Sequence, residues 1–91
     1  MKRVYKYPLL FVDKIQEIEL PSHAEVLHVE MQGGRLCMWA LVVDTNTKTT
    51  IVRRFIVRGT GHDIDPAFFL RHVSTLMHHD GQLVWHIFEV I

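Results

Sequence analysis

The sequence predicts a mainly β protein, a small antiparallel sandwich or partly open barrel formed by a single domain over 1–91. Three observations predict it. The run LCMWALVV (36–43) is apolar at every position, the pattern of a strand in the middle of a sheet with both faces covered. Gly33-Gly34 separates that run from AEVLHVEM (24–31), and two glycines suit a type I′ hairpin, whose central positions both need positive φ. Asp80-Gly81 marks a second two-residue hairpin, between segments over 71–78 and 83–90.

The elements follow in order. Val4 to Val12 reads as a first strand, with Tyr5, Tyr7, Leu9 and Phe11 on one face by period two. Pro8 removes a backbone donor, so this strand belongs at an edge or breaks there. Asp13-Lys14 turns the chain into IQEIEL (15–20), a short half-exposed strand where Gln16, Ile18 and Leu20 share a face and Ile15, Glu17 and Glu19 oppose them. Pro21-Ser22-His23 ends it.

With Gln32 opposite Arg35, the Gly-Gly turn pairs Met31 with Leu36, Val29 with Met38 and Leu27 with Ala40 on the face expected to meet the core. The other face pairs Glu30 with Cys37, His28 with Trp39 and Val26 with Leu41. The polar stretch 44–49 is expected to be a loose exposed loop. In IVRRFIVR (51–58), the stems of Arg53, Arg54 and Arg58 are expected to lie on apolar surface with each guanidinium in water.

Residues 66–79 read two ways. Phe69, Val73, Leu76 and Met77 approximate helical spacing behind Asp65-Pro66, a helix-start signal. The Asp-Gly hairpin instead pairs Leu76 with Trp85, Ser74 with Ile87 and His72 with Glu89, and on the other face Met77 with Val84, Thr75 with His86 and Val73 with Phe88. Aromatic and β-branched pairs favour sheet. The preferred reading is strand over 71–78 after one helical turn at 66–69, then strand over 83–90.

Composition bounds the function. A 91-residue chain that is 48% hydrophobic can bury a core, and ten basic residues balance ten acidic ones. Zero formal charge does not point to a bulk polyanion partner, and it removes one barrier to self-association. The lone cysteine, Cys37, sits in the most apolar run and reads as a buried small hydrophobe in a reducing compartment. No signal-peptide pattern follows Lys2-Arg3, and LCMWALVV is too short to cross a bilayer as a helix, so a cytoplasmic, non-membrane protein is expected.

The seven histidines form no CxxC, HExxH or three-ligand spacing, so no metal or other cofactor is expected. RGTGHDID is the better candidate site. Gly59 and Gly61 allow close backbone approach, Arg58 supplies charge, and Thr60 and His62 supply hydrogen bonds to a phosphate or carboxylate. It is neither a Walker A nor a dinucleotide sequence, and a glycine-permitted turn capped by Asp63 explains the same residues. Neither Cys37 nor Ser74 has a histidine directed at it by any sequence pattern, which places an enzyme last among the readings. Lys2, Arg3 and Lys6 joined to Arg54 and Arg58, with Trp39 or Tyr5 as stacking surfaces, form the nucleic-acid reading. Trp39 and Trp85 are the expected contact residues of a homo-dimer or higher oligomer.

Across nearly its whole length the chain resembles a group of small proteins of tailed phages and prophages, through YKYPL, IQEIELPSHAEVLHVEMQGGRLCMWALV, FIVRGTGHDI and GQLVWHIFE. The resemblance implies an accessory phage protein in an infected or lysogenic bacterial host, and it implies no substrate, cofactor or catalytic residue. The leading expectation is a non-catalytic protein that binds a phage or host protein. A small nucleotide- or anion-binding module comes second, and nucleic-acid binding third.

Overall fold

The computed structural model describes residues 1–44 and 48–91 and contains seven strands: β1 (Lys2–Pro8), β2 (Gln16–Pro21), β3 (Glu25–Gln32), β4 (Arg35–Val43), β5 (Thr50–Gly59), β6 (Leu70–His78) and β7 (Leu83–Val90). They form two antiparallel sheets, β1-β4-β3 and β2-β5-β7-β6, which are not closed into a barrel. The centre of the expected loop at 44–49, residues 45–47, lies outside the described residues.

β4 occupies the middle of the three-stranded sheet, as its unbroken apolar run requires. Its Leu36, Met38, Ala40 and Val42 join Val29 of β3 and Leu9, and they face Leu20, Phe55, Val57, Leu76 and Ile87 of the other sheet in one shared core. β3 and β6 run beside each other where the sheets meet, and the Val29 N–H donates to Ser74 Oγ at 2.7 Å. A serine hydroxyl there replaces the carbonyl that a continuous ladder would supply. The buried amide is satisfied without closing the barrel.

Both hairpins form in the expected turns. Gly33 and Gly34 have φ of 57° and 79° between the paired Gln32 and Arg35. Asp80 and Gly81 have φ of 55° and 84°, and the Gln82 N–H donates to the His79 carbonyl. Near the turns the pairings are those expected, from Met31 with Leu36 to His28 with Trp39, and from Met77 with Val84 to Ser74 with Ile87. Farther out both registers shift. Val26 rather than Leu27 faces Ala40, and Glu25 rather than Val26 faces Leu41. Likewise His72 rather than Val73 faces Phe88, and Arg71 rather than His72 faces Glu89. The cause is one extra residue in each strand, at Leu27 and at Val73, a bulge that sets two residues opposite one. Both bulges fall on the two neighbouring edges.

Three further expectations are corrected. The first strand is an edge strand, as Pro8 implied, but it ends at Pro8 and does not run to Val12: the Leu9 N–H makes a last bond to the Leu36 carbonyl, and Gln16 then takes both backbone groups of Leu10. Residues 66–69 form no helical turn: Pro66 follows Asp65 in a β-turn closed by Phe68 N–H to the Asp65 carbonyl, while Asp65 Oδ1 accepts from the Ala67 N–H. Arg54 is exposed as expected, but Arg53 and Arg58 are not. Arg53 turns inward to hold Glu89 with two hydrogen bonds of 2.6 and 2.8 Å and donates to the Ala24 carbonyl. Arg58 is buried against backbone carbonyls.

Candidate functional site

The chain leaves β1 through a short loop pinned by one side chain. Gln16 donates from Nε2 to the Leu10 carbonyl and accepts the Leu10 N–H at Oε1, so a single amide stands in for a strand partner. This holds Phe11, Val12 and Asp13 over one end of the four-stranded sheet. At that end β5 finishes in a turn closed by the His62 N–H on the Gly59 carbonyl, with Gly61 at φ 88°, a conformation costly for any side chain. The Gly59 N–H donates back to His62 Nδ1 at 3.1 Å, so neutral His62 carries its proton on Nε2.

Between loop and turn lies a cleft of about 570 Å³ lined by Phe11, Val12, Asp13, Val57, Gly61, His62, Asp63 and Trp85. That volume falls in the range of small-molecule sites. Its aromatic rings meet at steep angles. Phe11 and Trp85 are 5.1 Å apart and inclined at 52°, and His62 stands edge-on to Trp85 at 6.0 Å and 74°. His78 stacks on Phe11 at 5.7 Å, and His79 on His78 at 4.1 Å, which continues the row of rings away from the cleft.

The expected site residues divide. Gly61 and His62 line the cleft. Gly59 lies beneath His62, so close that a β-carbon there would come within 2.8 Å of the imidazole. Thr60 is engaged elsewhere, bonded through Oγ1 to His86 Nε2 at 2.8 Å. Arg58 directs its guanidinium inward: Nε donates to the Asp63 carbonyl and Nη1 to that of Val57, with Asp13 Oδ1 3.7 Å from Nη1. Arg58 therefore braces both the turn and the loop of the cleft instead of forming its open wall. Trp85 lines the cleft and packs on the core, and its indole Nε1 is buried with no hydrogen-bond partner.

Trp39 lies at the opposite kind of surface. It shares the outer face of β4 with Cys37, Leu41 and Val43, opposite Lys6, Val4 and Lys2 of β1. Trp39, Leu41 and Val43 are half-buried and Val4 is 52% exposed, so an apolar strip runs along the middle of this sheet. Lys2 and Lys6 flank it on the β1 side, and Glu25, His28 and Glu30 on the β3 side. Cys37 is buried at one end of the strip, where its thiol donates to the Arg35 carbonyl.

Sequence reasoning missed two arrangements made by residues far apart in the chain. Ser74 Oγ lies 3.0 Å from His28 Nδ1, and His28 Nε2 lies 3.5 Å from Glu30 Oε2. This serine–histidine–carboxylate series has a nucleophile that is 3% exposed and already accepts the Val29 N–H, so it ties the sheets together. The second is a cleft of about 530 Å³ beside the two bulges, with Arg53, Arg71 and Glu89 among its lining residues. Arg53 and Glu89 neutralise each other there. No side-chain pattern in the sequence marks either arrangement, because each joins residues far apart in the chain. Among the described residues no three His, Cys, Asp or Glu side chains gather as a metal-binding group, and no helix is long and apolar enough to cross a membrane.

Fold and clefts together define a small two-sheet antiparallel β domain with an aromatic-walled cleft at one end and an apolar strip on one outer face. The whole chain, residues 1–91, matches the family described as a domain of unknown function (DUF7352), and the protein belongs to that family. No curated protein and no solved structure matches it.

Proposed function

We propose that the protein is a non-catalytic accessory protein of a tailed phage or prophage, acting in the cytoplasm of the infected or lysogenic host by binding a phage or host protein. The observation that carries the binding role is the uncovered strip of Val4, Trp39, Leu41 and Val43. A central strand normally turns polar residues to the solvent face of an antiparallel sheet. Here that face is apolar with a charged rim, the composition of a contact surface. The sequence resemblance supports the phage context.

The same face also suits a second copy of the chain. Rotation by half a turn about an axis parallel to β4 brings the Lys2 and Lys6 flank of one copy over the Glu25 and Glu30 flank of the other. The anion-binding reading draws on Arg58, whose Nε and Nη1 already donate to carbonyls beside the Asp13 carboxylate. For nucleic acid, Lys2 and Lys6 belong to one sheet and Arg54 and Arg58 to the other, which separates the basic residues.

The test compares the wild type with Trp39→Ser in affinity capture from infected cells and in light scattering over a concentration series. Recovery of a defined protein by the wild type and its loss with a folded Trp39→Ser supports hetero-binding at this face. A wild-type dimer that dissociates in the variant assigns the face to self-association. Equal recovery and equal mass for both proteins would refute a role for the strip.

A further inference from the structure

We propose that the cleft at the end of β5 binds an organic cation, an alkylammonium group, between the rings of Phe11, Trp85 and His62 and the carboxylates of Asp13 and Asp63. The inference is independent of the contact face on the three-stranded sheet. Asp13 and Asp63 are the charged residues among those lining the cleft, and none of the lining residues is lysine or arginine. Counting the Arg58 guanidinium behind them, one positive and two negative groups leave a formal charge of −1 with His62 neutral. The Arg58 charge is already in that count, and its Nε and Nη1 are engaged with the Asp63 and Val57 carbonyls.

The rings supply the second part. The face of an aromatic ring carries negative charge and attracts a cation, most strongly for tryptophan. Phe11 and Trp85, inclined at 52°, and His62, at 74° to Trp85, form a corner at the cleft, while the parallel partner of Phe11, His78, is not among the lining residues. A compact cation can meet more than one ring in such a corner, whereas a flat base needs parallel surfaces. Phe11 is 41% exposed and, with Val12, Val57 and Trp85, supplies the apolar part of the cleft lining. An alkylated ammonium group covers that surface with its carbon shell and places its charge near the two carboxylates. Because the Asp13 side chain is 95% exposed, its attraction is screened, and the rings must supply much of the affinity.

Nuclear magnetic resonance titration of the intact protein tests the assignment. The signals followed are the Gly61, His62 and Asp63 amides and the Trp85 indole, with Trp39→Phe used to tell the two indoles apart. Tetramethylammonium chloride is the probe, sodium chloride at equal ionic strength the control, and sodium phosphate the competitor class. The expected result is saturable movement of these signals by tetramethylammonium. Phe11→Ala should weaken that binding by roughly 3- to 10-fold. Asp13→Asn with Asp63→Asn should also weaken it, with circular dichroism unchanged. A capped lysine peptide binding more tightly than tetramethylammonium would identify a protein side chain as the source of the cation, and the reverse order a small free amine. Saturation by phosphate in place of tetramethylammonium, or no saturation by either, would overturn the assignment. So would unaltered tetramethylammonium binding in both folded variants.

Discussion

Removing Glu89 should damage this fold more than removing its partner Arg53. Both side chains are almost fully withdrawn from water, at 13% and 10% exposure, and two hydrogen bonds of 2.6 and 2.8 Å join them. Glu89→Leu leaves the Arg53 guanidinium buried, with only the Ala24 carbonyl still accepting from it and the Arg71 cation close by. Stranding a buried charge in this way costs about 3–5 kcal/mol. For a domain of this size that corresponds to a fall in Tm of roughly 12 °C or more. Arg53→Met is milder, because Arg71 Nη1 already stands 3.7 Å from Glu89 Oε1 and its exposed side chain is free to move closer. In the double variant no charge of the pair is stranded, and stability should recover by about 2 kcal/mol relative to Glu89→Leu alone. Urea unfolding of the four proteins, with slopes compared, measures the coupling. If the two single losses add to within about 0.5 kcal/mol in the double variant, the pair is not coupled and the argument fails.

Two further predictions concern the sheet junction and the exposed edge. Ser74→Ala removes the acceptor of the buried Val29 N–H and should cost about 1–3 kcal/mol, with faster hydrogen exchange at Val29; unchanged exchange there would show that the hydroxyl does not join the sheets. Burial, with a smaller contribution from Tyr5, raises the Tyr7 phenol above its ordinary value of 10.0. The unfolded chain therefore loses this proton first, so stability holds below about pH 10 and declines as pH rises toward the folded-state value. Tyr7→Phe should flatten that alkaline decline in urea-unfolding midpoints, and an identical decline in the variant would assign it to other groups.

How much was legible in the sequence depended on the range of the interaction. Gly33-Gly34 and Asp80-Gly81 have one comfortable use, a turn with positive φ, and they fixed four strands and the register beside each turn. The apolar run 36–43 likewise placed β4 at the centre of its sheet. The strand reading of 71–78 followed from the hairpin, whereas the helical turn at 66–69 rested on local spacing that Pro66 and Asp65 satisfy as well in a β-turn. RGTGHDID supplies Gly61, His62 and Asp63 to the cleft, whereas Phe11, Asp13 and Trp85 reach it from loops and strands whose proximity no local pattern encodes.

The sequence by itself therefore determined the β class, the two hairpins and the central strand, because turn chemistry and alternation act between near neighbours. Tertiary structure alone decided the rest. The bulges at Leu27 and Val73 arise where two edges must fit against each other, and Ser74 meets Val29 across that junction. Arg53 is buried because folding brings Glu89 and the Ala24 carbonyl to it, and Arg58 because the turn after β5 folds the Asp63 carbonyl back onto it under the loop that carries Asp13. A long, flexible cation reads the same in a sequence whether it ends in water or on a buried partner. For Arg53 the buried partner is Glu89, 36 residues away in the chain, and the free energy of burial depends on whether that carboxylate is there.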